Sequence, residues 1–142
     1  MKKNEEKYFI NLAGEYAVCS ELAKRNIQAN LTLGNKKAVD IIILKNDNTA
    51  LTVEVKTTNK NKFVTGFFQK YFSKQLPHPS IWVLVQLHET NKTRFFILTH
   101  DDLADVQMRV NKMSKWEHVN GVDNIPLKEI LEFENKWEKI TN

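Results

Sequence analysis

The hydrophobic pattern of the chain centres on two apolar runs that are separated by a short polar segment. The first run covers residues 38–44 and the second covers residues 51–56. Both runs are rich in β-branched residues, which favour strands, and the Asn and Asp residues between them are typical of a turn. The first run is apolar at nearly every position, as in a strand that is buried on both faces. The pattern therefore predicts a hairpin of two central strands.

Charged residues interrupt both predicted strands. Asp40 lies in the first strand, and Glu54 and Lys56 share one face of the second, because side chains alternate along a strand. Pairing Leu44 with Ala50 would set Asp40 opposite Glu54, and a register shift of two would set it opposite Lys56. Opposed carboxylates repel unless a cation lies between them, and Lys56 or a divalent ion such as Mg²⁺ would supply that charge. Such a site suits metal-assisted hydrolysis.

A first helix is predicted from Phe9 to Arg25, where apolar residues recur at three- and four-residue steps. Its predicted apolar face consists of Phe9, Leu12, Ala13, Tyr16, Cys19, Leu22 and Ala23. Glycine in the middle of a helix costs up to about 1 kcal/mol relative to alanine, so Gly14 indicates close approach by another group. Taken alone, the adjacent Glu15 is expected to be a solvated charge on the helix surface.

The remaining pattern predicts further strands and helices and a single domain over residues 1–142. Strands are expected at residues 27–33, 81–87 and 93–98. Thr99 is expected to cap a helix that ends near Lys112, and Pro126 to begin a last helix that reaches Ile140 and packs on the sheet. The domain core is predicted at about 8–112, and a C-terminal helical extension at about 113–142.

Lysine and aromatic residues are interleaved after the second central strand. The lysines are Lys60, Lys62, Lys70 and Lys74, and the rings are Phe63, Phe67, Phe68, Tyr71 and Phe72. We expect the lysines to contact the phosphates of a nucleic acid, because they begin directly beside the charged face. For the rings we favour, over stacking on bases, a loop followed by a short helix that points Phe67, Phe68, Tyr71 and Phe72 into the core. Lys36 and Lys37, in a turn before Asp40, are further candidates for phosphate contacts.

Composition changes this interpretation only slightly. The 21 Lys and Arg residues against 17 Asp and Glu residues give a net charge of +4, which suits a polyanionic partner but also ordinary solubility. The single cysteine, Cys19, allows no internal disulfide, so we expect a cytoplasmic protein in which this thiol is part of the core. The amphipathic start predicts neither a signal peptide nor a membrane span. The four histidines show no metal-ligand spacing.

Glu15 on a first helix, Asp40 in one strand and Glu54-Val55-Lys56 in the next resemble the PD-(D/E)XK nuclease superfamily. The order of elements fits this superfamily through about Leu98. Within it, the chain looks most like archaeal Holliday-junction resolvases, with restriction-type endonucleases close behind. The resemblance implies a mixed α/β protein with the restriction-endonuclease-like fold, in which helices flank a central mixed β-sheet.

The resemblance also implies a metal-dependent DNA endonuclease. Asp40 and Glu54 would bind Mg²⁺, for which Mn²⁺ is a substitute, and the carbonyl of Val55 would be a further ligand. Lys56 would orient or activate the attacking water, and Glu15 would assist through a water or a second ion. The implied partner is double-stranded or branched DNA. A homodimer is expected by analogy, because cutting two strands needs two sites.

Two other classes of function stay open on the sequence. A catalytically inactive member of the same fold would bind nucleic acid or protein and keep the charged trio as a structural network. An intracellular interaction protein, such as an accessory subunit, would use residues 63–72 as its contact surface.

Overall fold

The structure is a computed structural model that describes residues 2–32, 39–88 and 90–141. Its helices and strands are α1 (Lys3–Lys24), β1 (Ala29–Leu31), β2 (Ile41–Leu44), β3 (Ala50–Thr58), β4 (Lys62–Val64), α2 (Phe67–Lys70), β5 (Ile81–Gln86), β6 (Arg94–Thr99), α3 (His100–Asn111), β7 (Asn124–Pro126) and α4 (Glu138–Thr141). Two 3-10 turns, Leu127–Glu129 and Leu131–Phe133, lie between β7 and α4. No helix within the described ranges is long and apolar enough to cross a bilayer.

A mixed five-stranded sheet with the order β1-β2-β3-β5-β6 forms the centre of the fold. Strands β3 and β5 are parallel, and the other neighbours in this sheet are antiparallel. Parallel neighbours require a crossover connection, which here contains β4 and α2. Strands β4 and β7 pair with each other in a separate antiparallel ribbon. The mixed sheet with flanking helices confirms the fold class expected from the sequence.

The two faces of the sheet bury different clusters of side chains. On one face, residues of β3 and β5 pack against Val18 and Leu22 of α1 and against Trp137. On the other face, Trp82 and Leu84 of β5 pack with residues of α2, α3 and β7. Every residue of β5 is buried, which explains the unbroken apolar run over residues 81–85 before the buried Gln86. Cys19 is half-buried against the first cluster, as predicted for a core thiol, and burial raises its pKa.

Several predicted elements are confirmed with shifted ends. The hairpin register follows the pairing of Leu44 with Ala50, the first of the two predicted registers. Thr99 caps α3, because its hydroxyl accepts a hydrogen bond of 3.0 Å from the Asp102 N–H and its own N–H donates to the Asp102 carboxylate. Helix α1 begins at Lys3 rather than Phe9.

The predicted apolar face of α1 is wrong in part. Phe9 and Tyr16 are more than half exposed, and the buried residues of the helix are Gly14, Glu15, Val18 and Leu22. Apolar residues lie on two sides of this helix, and only one side meets the sheet. Helical spacing alone does not say which side that is.

The predicted helix from Pro126 to Ile140 is wrong over most of its length. Pro126 ends β7, and the N–H of Asn135, a residue with a φ of 56°, donates to the Phe95 carbonyl. Glu134 bridges to Phe96 and accepts two hydrogen bonds of 2.8 Å from Arg94. This segment therefore runs along the edge strand β6, and its pairing with that edge outweighs the helical preference of the sequence. The C-terminal extension is consequently not helical as a whole.

Candidate active site

The site lies where β2 begins and β3 continues beyond it. Ile41, the first residue of β2, pairs with Val53. The part of β3 after Val53 therefore extends beyond the start of β2. Asp40 stands directly before β2, and its Oδ2 accepts a hydrogen bond of 2.8 Å from the Val55 N–H. The Asp40 N–H in turn donates to the Val53 carbonyl at 3.1 Å. The carboxylate thus takes the position of a strand partner, which fixes its orientation.

Glu54 and Lys56 project from the same face of β3, as strand alternation predicts. The Lys56 Nζ lies 3.5 Å from Glu54 Oε1, and both side chains are largely shielded from solvent. Burial raises the pKa of Glu54, and the negative charge of Asp40 raises it further, while Lys56 and Lys70 act in the opposite direction. The influence of Asp40 on the pKa of Glu54 means that the two carboxylates are close enough to repel each other.

Helix α1 brings Glu15 to the same cleft because Gly14 allows the helix to approach β3 closely. A Cβ atom at Gly14 would overlap the Thr57 hydroxyl and would lie 2.8 Å from the Thr57 Cβ atom. The close approach inferred from this glycine is therefore confirmed. Glu15 is 7% exposed, so the expectation that it is a solvated surface charge is wrong.

These residues line one cleft of about 720 Å³ that runs along the first half of α1. Glu15, Asp40, Glu54, Val55 and Lys56, the five residues predicted from the sequence, all contribute to it. One wall is formed by Lys3, Lys7, Asn11 and Glu15, which follow each other at four-residue steps on α1. The sequence reasoning missed Lys3 and Lys7 because they precede the predicted start of the helix. Their spacing of four residues was the available signal.

The lysines that were predicted to contact phosphates do not all lie in the cleft. Lys60, in the turn after β3, and Lys62, in β4, line it. Lys70 does not line it, but its charge lowers the pKa of Glu54 and is therefore nearby. The ammonium group of Lys74 lies 4.8 Å from the centre of the Trp116 ring. Lys36 and Lys37 lie outside the described residues.

Two buried polar residues hold the segments that carry these lysines. The amide of Gln86 donates to the Lys60 carbonyl at 2.9 Å and to Asn61 Oδ1 at 3.0 Å, which fixes the turn between β3 and β4. Asp123 Oδ2 accepts hydrogen bonds of 2.6 and 3.2 Å from the N–H groups of Phe68 and Gln69, at the start of α2. Neither residue carries a recognisable motif, and the sequence reasoning missed both.

The aromatic residues of this region mostly belong to the core. Phe67, Phe68 and Tyr71 are buried, as predicted for a short helix with an inward-facing aromatic side, and Phe63 of β4 is buried as well. Phe72 is 43% exposed and departs from that prediction, since it follows the end of α2. Most of these rings are therefore not available to stack on bases.

The donor set fits a hard divalent cation. Asp40 and Glu54 supply oxygen ligands, and their mutual repulsion would be relieved by a cation between them. Across residues 2–32, 39–88 and 90–141, no group of three or more His, Cys, Asp and Glu side chains is arranged to hold a metal. An ion here would therefore depend on two carboxylates, the Val55 carbonyl, water and substrate oxygens. Mg²⁺ is commonly bound in that way, through one or two carboxylates together with phosphates and water.

Comparison with solved structures identifies the fold. A bacterial homing endonuclease, I-Ssp6803I, superposes with a TM-score of 0.58 at 12% sequence identity, over 92% of this chain and 89% of that chain. The chain has the restriction-endonuclease-like fold. A Holliday junction resolvase, Hjc of Archaeoglobus fulgidus, matches with a TM-score of 0.48 at 16% identity, over 84% of this chain and 90% of that chain. No protein-family model and no curated protein matches the sequence.

Proposed function

We propose that the protein is a metal-dependent DNA endonuclease that hydrolyses phosphodiester bonds. The observation that carries this proposal is the meeting of Glu15, Asp40, Glu54 and Lys56 in one cleft whose walls bear lysines. The fold agrees with it, because a homing endonuclease is among the solved structures that resemble this chain. Hydrolysis of a phosphodiester requires neutralisation of the phosphate oxygens and a nucleophile that is available at neutral pH.

Asp40, Glu54 and the carbonyl of Val55 would hold Mg²⁺ or Mn²⁺ in this cleft. When bound, the ion would stabilise the charge on the phosphate oxygens and lower the pKa of water. The hydrogen bond from the Val55 N–H keeps the Asp40 carboxylate turned toward β3, so this ligand is oriented before an ion arrives. The raised pKa of Glu54 implies that ion binding competes with protonation of this carboxylate.

Lys56 and Glu15 would act on the water and on the phosphate. The Lys56 Nζ lies 3.5 Å from Glu54 Oε1. At this position the ammonium group would hold an attacking water beside the carboxylates. Glu15 approaches from α1, and its side chain is buried at the cleft. Its proposed role is to accept a hydrogen bond from that water or to support a second ion.

The lysines of the two walls would hold the DNA backbone. Lys3 and Lys7 lie on α1, Lys60 lies in the turn after β3 and Lys62 lies in β4, so cations reach the cleft from two separate parts of the fold. Lysine contacts with phosphate are independent of base sequence. This arrangement therefore supports backbone binding and leaves base preference to other residues.

Plasmid cleavage tests the proposal. Supercoiled plasmid and a four-way junction are incubated with the protein in EDTA, Mg²⁺ or Mn²⁺, beside Glu54→Gln and the exposed-site control Asp105→Asn. We expect ion-dependent cleavage that falls by about a hundredfold or more in Glu54→Gln and is unchanged in the control. Cleavage that persists in EDTA, or that is equal in Glu54→Gln, would contradict the proposal.

A second candidate function is a binding module without catalysis. The ion pair between Lys56 and Glu54 favours it, since it partly neutralises the carboxylates without a metal. Thermal melts distinguish the two functions, because an ion that binds only the folded state raises the melting temperature. An increase with Mg²⁺ that is lost in Asp40→Asn supports the enzyme. A folded protein without this increase and without cleavage supports the module.

A further inference from the structure

Strands β4 and β7 form a two-stranded ribbon that has one buried face and one accessible face. Phe63 and Thr65 on one side of the ribbon, and Asp123 and Ile125 on the other, are at most 4% exposed. The residues between them point the other way, because side chains alternate along a strand. These residues are Lys62, Val64, Val122, Asn124 and Pro126, and none of the five is buried. We call them the outer face of the ribbon.

The outer face is continuous across the two strands. The N–H of Thr65 donates to the Asp123 carbonyl at 2.9 Å, one step beyond the pairing of Val64 with Asn124. Val64 and Asn124 are therefore a pair without mutual hydrogen bonds, in which opposed side chains are the more closely spaced. Val122 is two residues from Asn124, and diagonal neighbours in such a ladder are about 7–8 Å apart. The two valines thus lie beside each other on one accessible surface.

Contacts beneath the ribbon hold it on α3. The Thr65 hydroxyl donates to Gln107 Oε1 at 2.5 Å, and Asp123 Oδ1 accepts a hydrogen bond of 2.7 Å from the Asn111 amide. Gln107 and Asn111 both belong to α3. The outer face is therefore presented by a fixed backbone, and a ligand that binds there loses little affinity to ordering of the ribbon.

The outer face begins inside the cleft. Lys62 and Val64 line the cleft together with Asp40 and Glu54. A duplex that brings a phosphate to these carboxylates would therefore have the adjoining groove at the ribbon. Lys62 supplies a cation for the backbone, and beyond it Val64 and Val122 are 57% and 62% exposed. A charge followed by apolar groups is the order that a surface needs to follow DNA from its phosphates to its base edges.

We propose that the outer face of the ribbon lies in the major groove of DNA, where Val64 and Val122 contact thymine methyl groups. This inference rests on the proposed function, since the phosphate in the cleft positions the duplex, and it adds a base preference that the lysines do not provide. The major groove admits a two-stranded ribbon, and the thymine methyl is the apolar group that base pairs present there. A valine placed against any other base edge would cover donors or acceptors without replacing their hydrogen bonds to water. The protein should therefore prefer thymine beside the cleaved phosphate.

Binding to an alternating A·T duplex and to the same duplex with uracil in place of thymine tests the proposal, because the two differ only in the thymine methyl groups. Affinities are measured in EDTA, so that the comparison does not depend on catalysis. We expect the uracil duplex to bind about fourfold more weakly for each methyl contact, from the transfer free energy of one buried CH₂ group. The double variant Val64→Ser/Val122→Ser should bind both duplexes equally. Its dependence on salt should be unchanged, because no charge is altered.

Two further variants serve as controls for this comparison. Leu44→Ser changes a residue that is 60% exposed at the end of β2 away from Asp40, and it should retain the preference for thymine. Val64→Thr/Val122→Thr keeps the β-branched shape and one methyl group at each position, so it should retain part of the preference that serine removes. Equal affinity of the unchanged protein for the two duplexes, failure to bind either, or a full preference in a folded serine variant would overturn the proposal.

The proposal and the nuclease function can fail separately. Ion-dependent cleavage by a protein that does not distinguish thymine from uracil would overturn the role of the ribbon and leave the nuclease intact. A preference for thymine that the serine variant loses, in a protein that cleaves no DNA with Mg²⁺ or Mn²⁺, would support the ribbon and overturn the nuclease.

Discussion

Gly14→Ala is the most direct test of how α1 is seated on the sheet. The added Cβ atom would overlap the Thr57 hydroxyl and would lie 2.8 Å from the Thr57 Cβ and 2.9 Å from its Cγ2. Rotation of the Thr57 side chain moves its hydroxyl and methyl groups but leaves its Cβ atom in place. The contact between the two Cβ atoms is therefore relieved only if the backbone of α1 moves away from β3.

The expected cost follows from two opposing effects. Overpacking a close contact costs about 1–3 kcal/mol, and the upper half of this range applies because side-chain rotation does not remove the overlap. Replacement of a mid-helix glycine by alanine returns up to about 1 kcal/mol. We expect the free energy of unfolding to fall by about 1–2 kcal/mol, which corresponds to a decrease of several degrees in melting temperature for a chain of this length.

Urea unfolding of four variants measures this effect. Ser20→Ala, at an exposed position of the same helix, is the control: it raises helix propensity, by less than a glycine replacement does, and adds no steric contact. Thr57→Ala removes a buried hydroxyl that has no hydrogen-bond partner in the described part of the chain, so alone it should cost little. Combined with Gly14→Ala, it should recover part of the loss, because the Cβ contact persists. Stability of Gly14→Ala equal to that of Ser20→Ala, or additive effects of the two changes, would refute this reasoning.

Three further predictions concern other parts of the molecule. Asp123→Asn should lower the free energy of unfolding, measured in urea, by about 2–3 kcal/mol, because the backbone N–H groups at α2 and the Asn111 amide both need an acceptor. Asp105→Asn, the exposed control, should leave this free energy unchanged. Burial lowers the pKa of His100 from 6.5 to about 4, so between these values the unfolded chain binds a proton that the folded chain does not. Stability is thus complete above pH 6.5 and falls by up to about 3 kcal/mol as the pH decreases to 4, and His100→Gln should flatten this dependence in thermal melts. Joint replacement of Lys3 and Lys7 by alanine should reduce the slope of log affinity for duplex DNA against log salt by about 2.

The central site could be predicted because its geometry follows from local rules. Side-chain alternation puts Glu54 and Lys56 on one face, and the short turn after Leu44 restricts the hairpin to a few registers. The observed pairing of Leu44 with Ala50 continues to Ile41, immediately beside Asp40. A pattern of seven or fewer residues on each strand was therefore enough to predict that the two carboxylates lie together.

The supporting residues could not be predicted in the same way, because their partners are distant in sequence. Asp123 accepts hydrogen bonds from α2, and Gln86 holds the turn at Lys60. Each is a single polar residue whose burial depends on the packing of several elements. The segment after Pro126 shows the same dependence, since its conformation is determined by the edge of β6 and not by its own helical preference.

Helix α1 shows why periodicity finds an element more readily than it finds the role of each face. Three rows of residues at four-residue steps run along it. One is buried on β3 through Gly14 and Val18, one lines the cleft through Lys7 and Glu15, and the third exposes Tyr8 and Tyr16. The third row contains the larger apolar side chains, so hydrophobicity alone selects the wrong face as buried. The glycine distinguishes the faces, because only the row that approaches a backbone closely gains from the absence of a side chain.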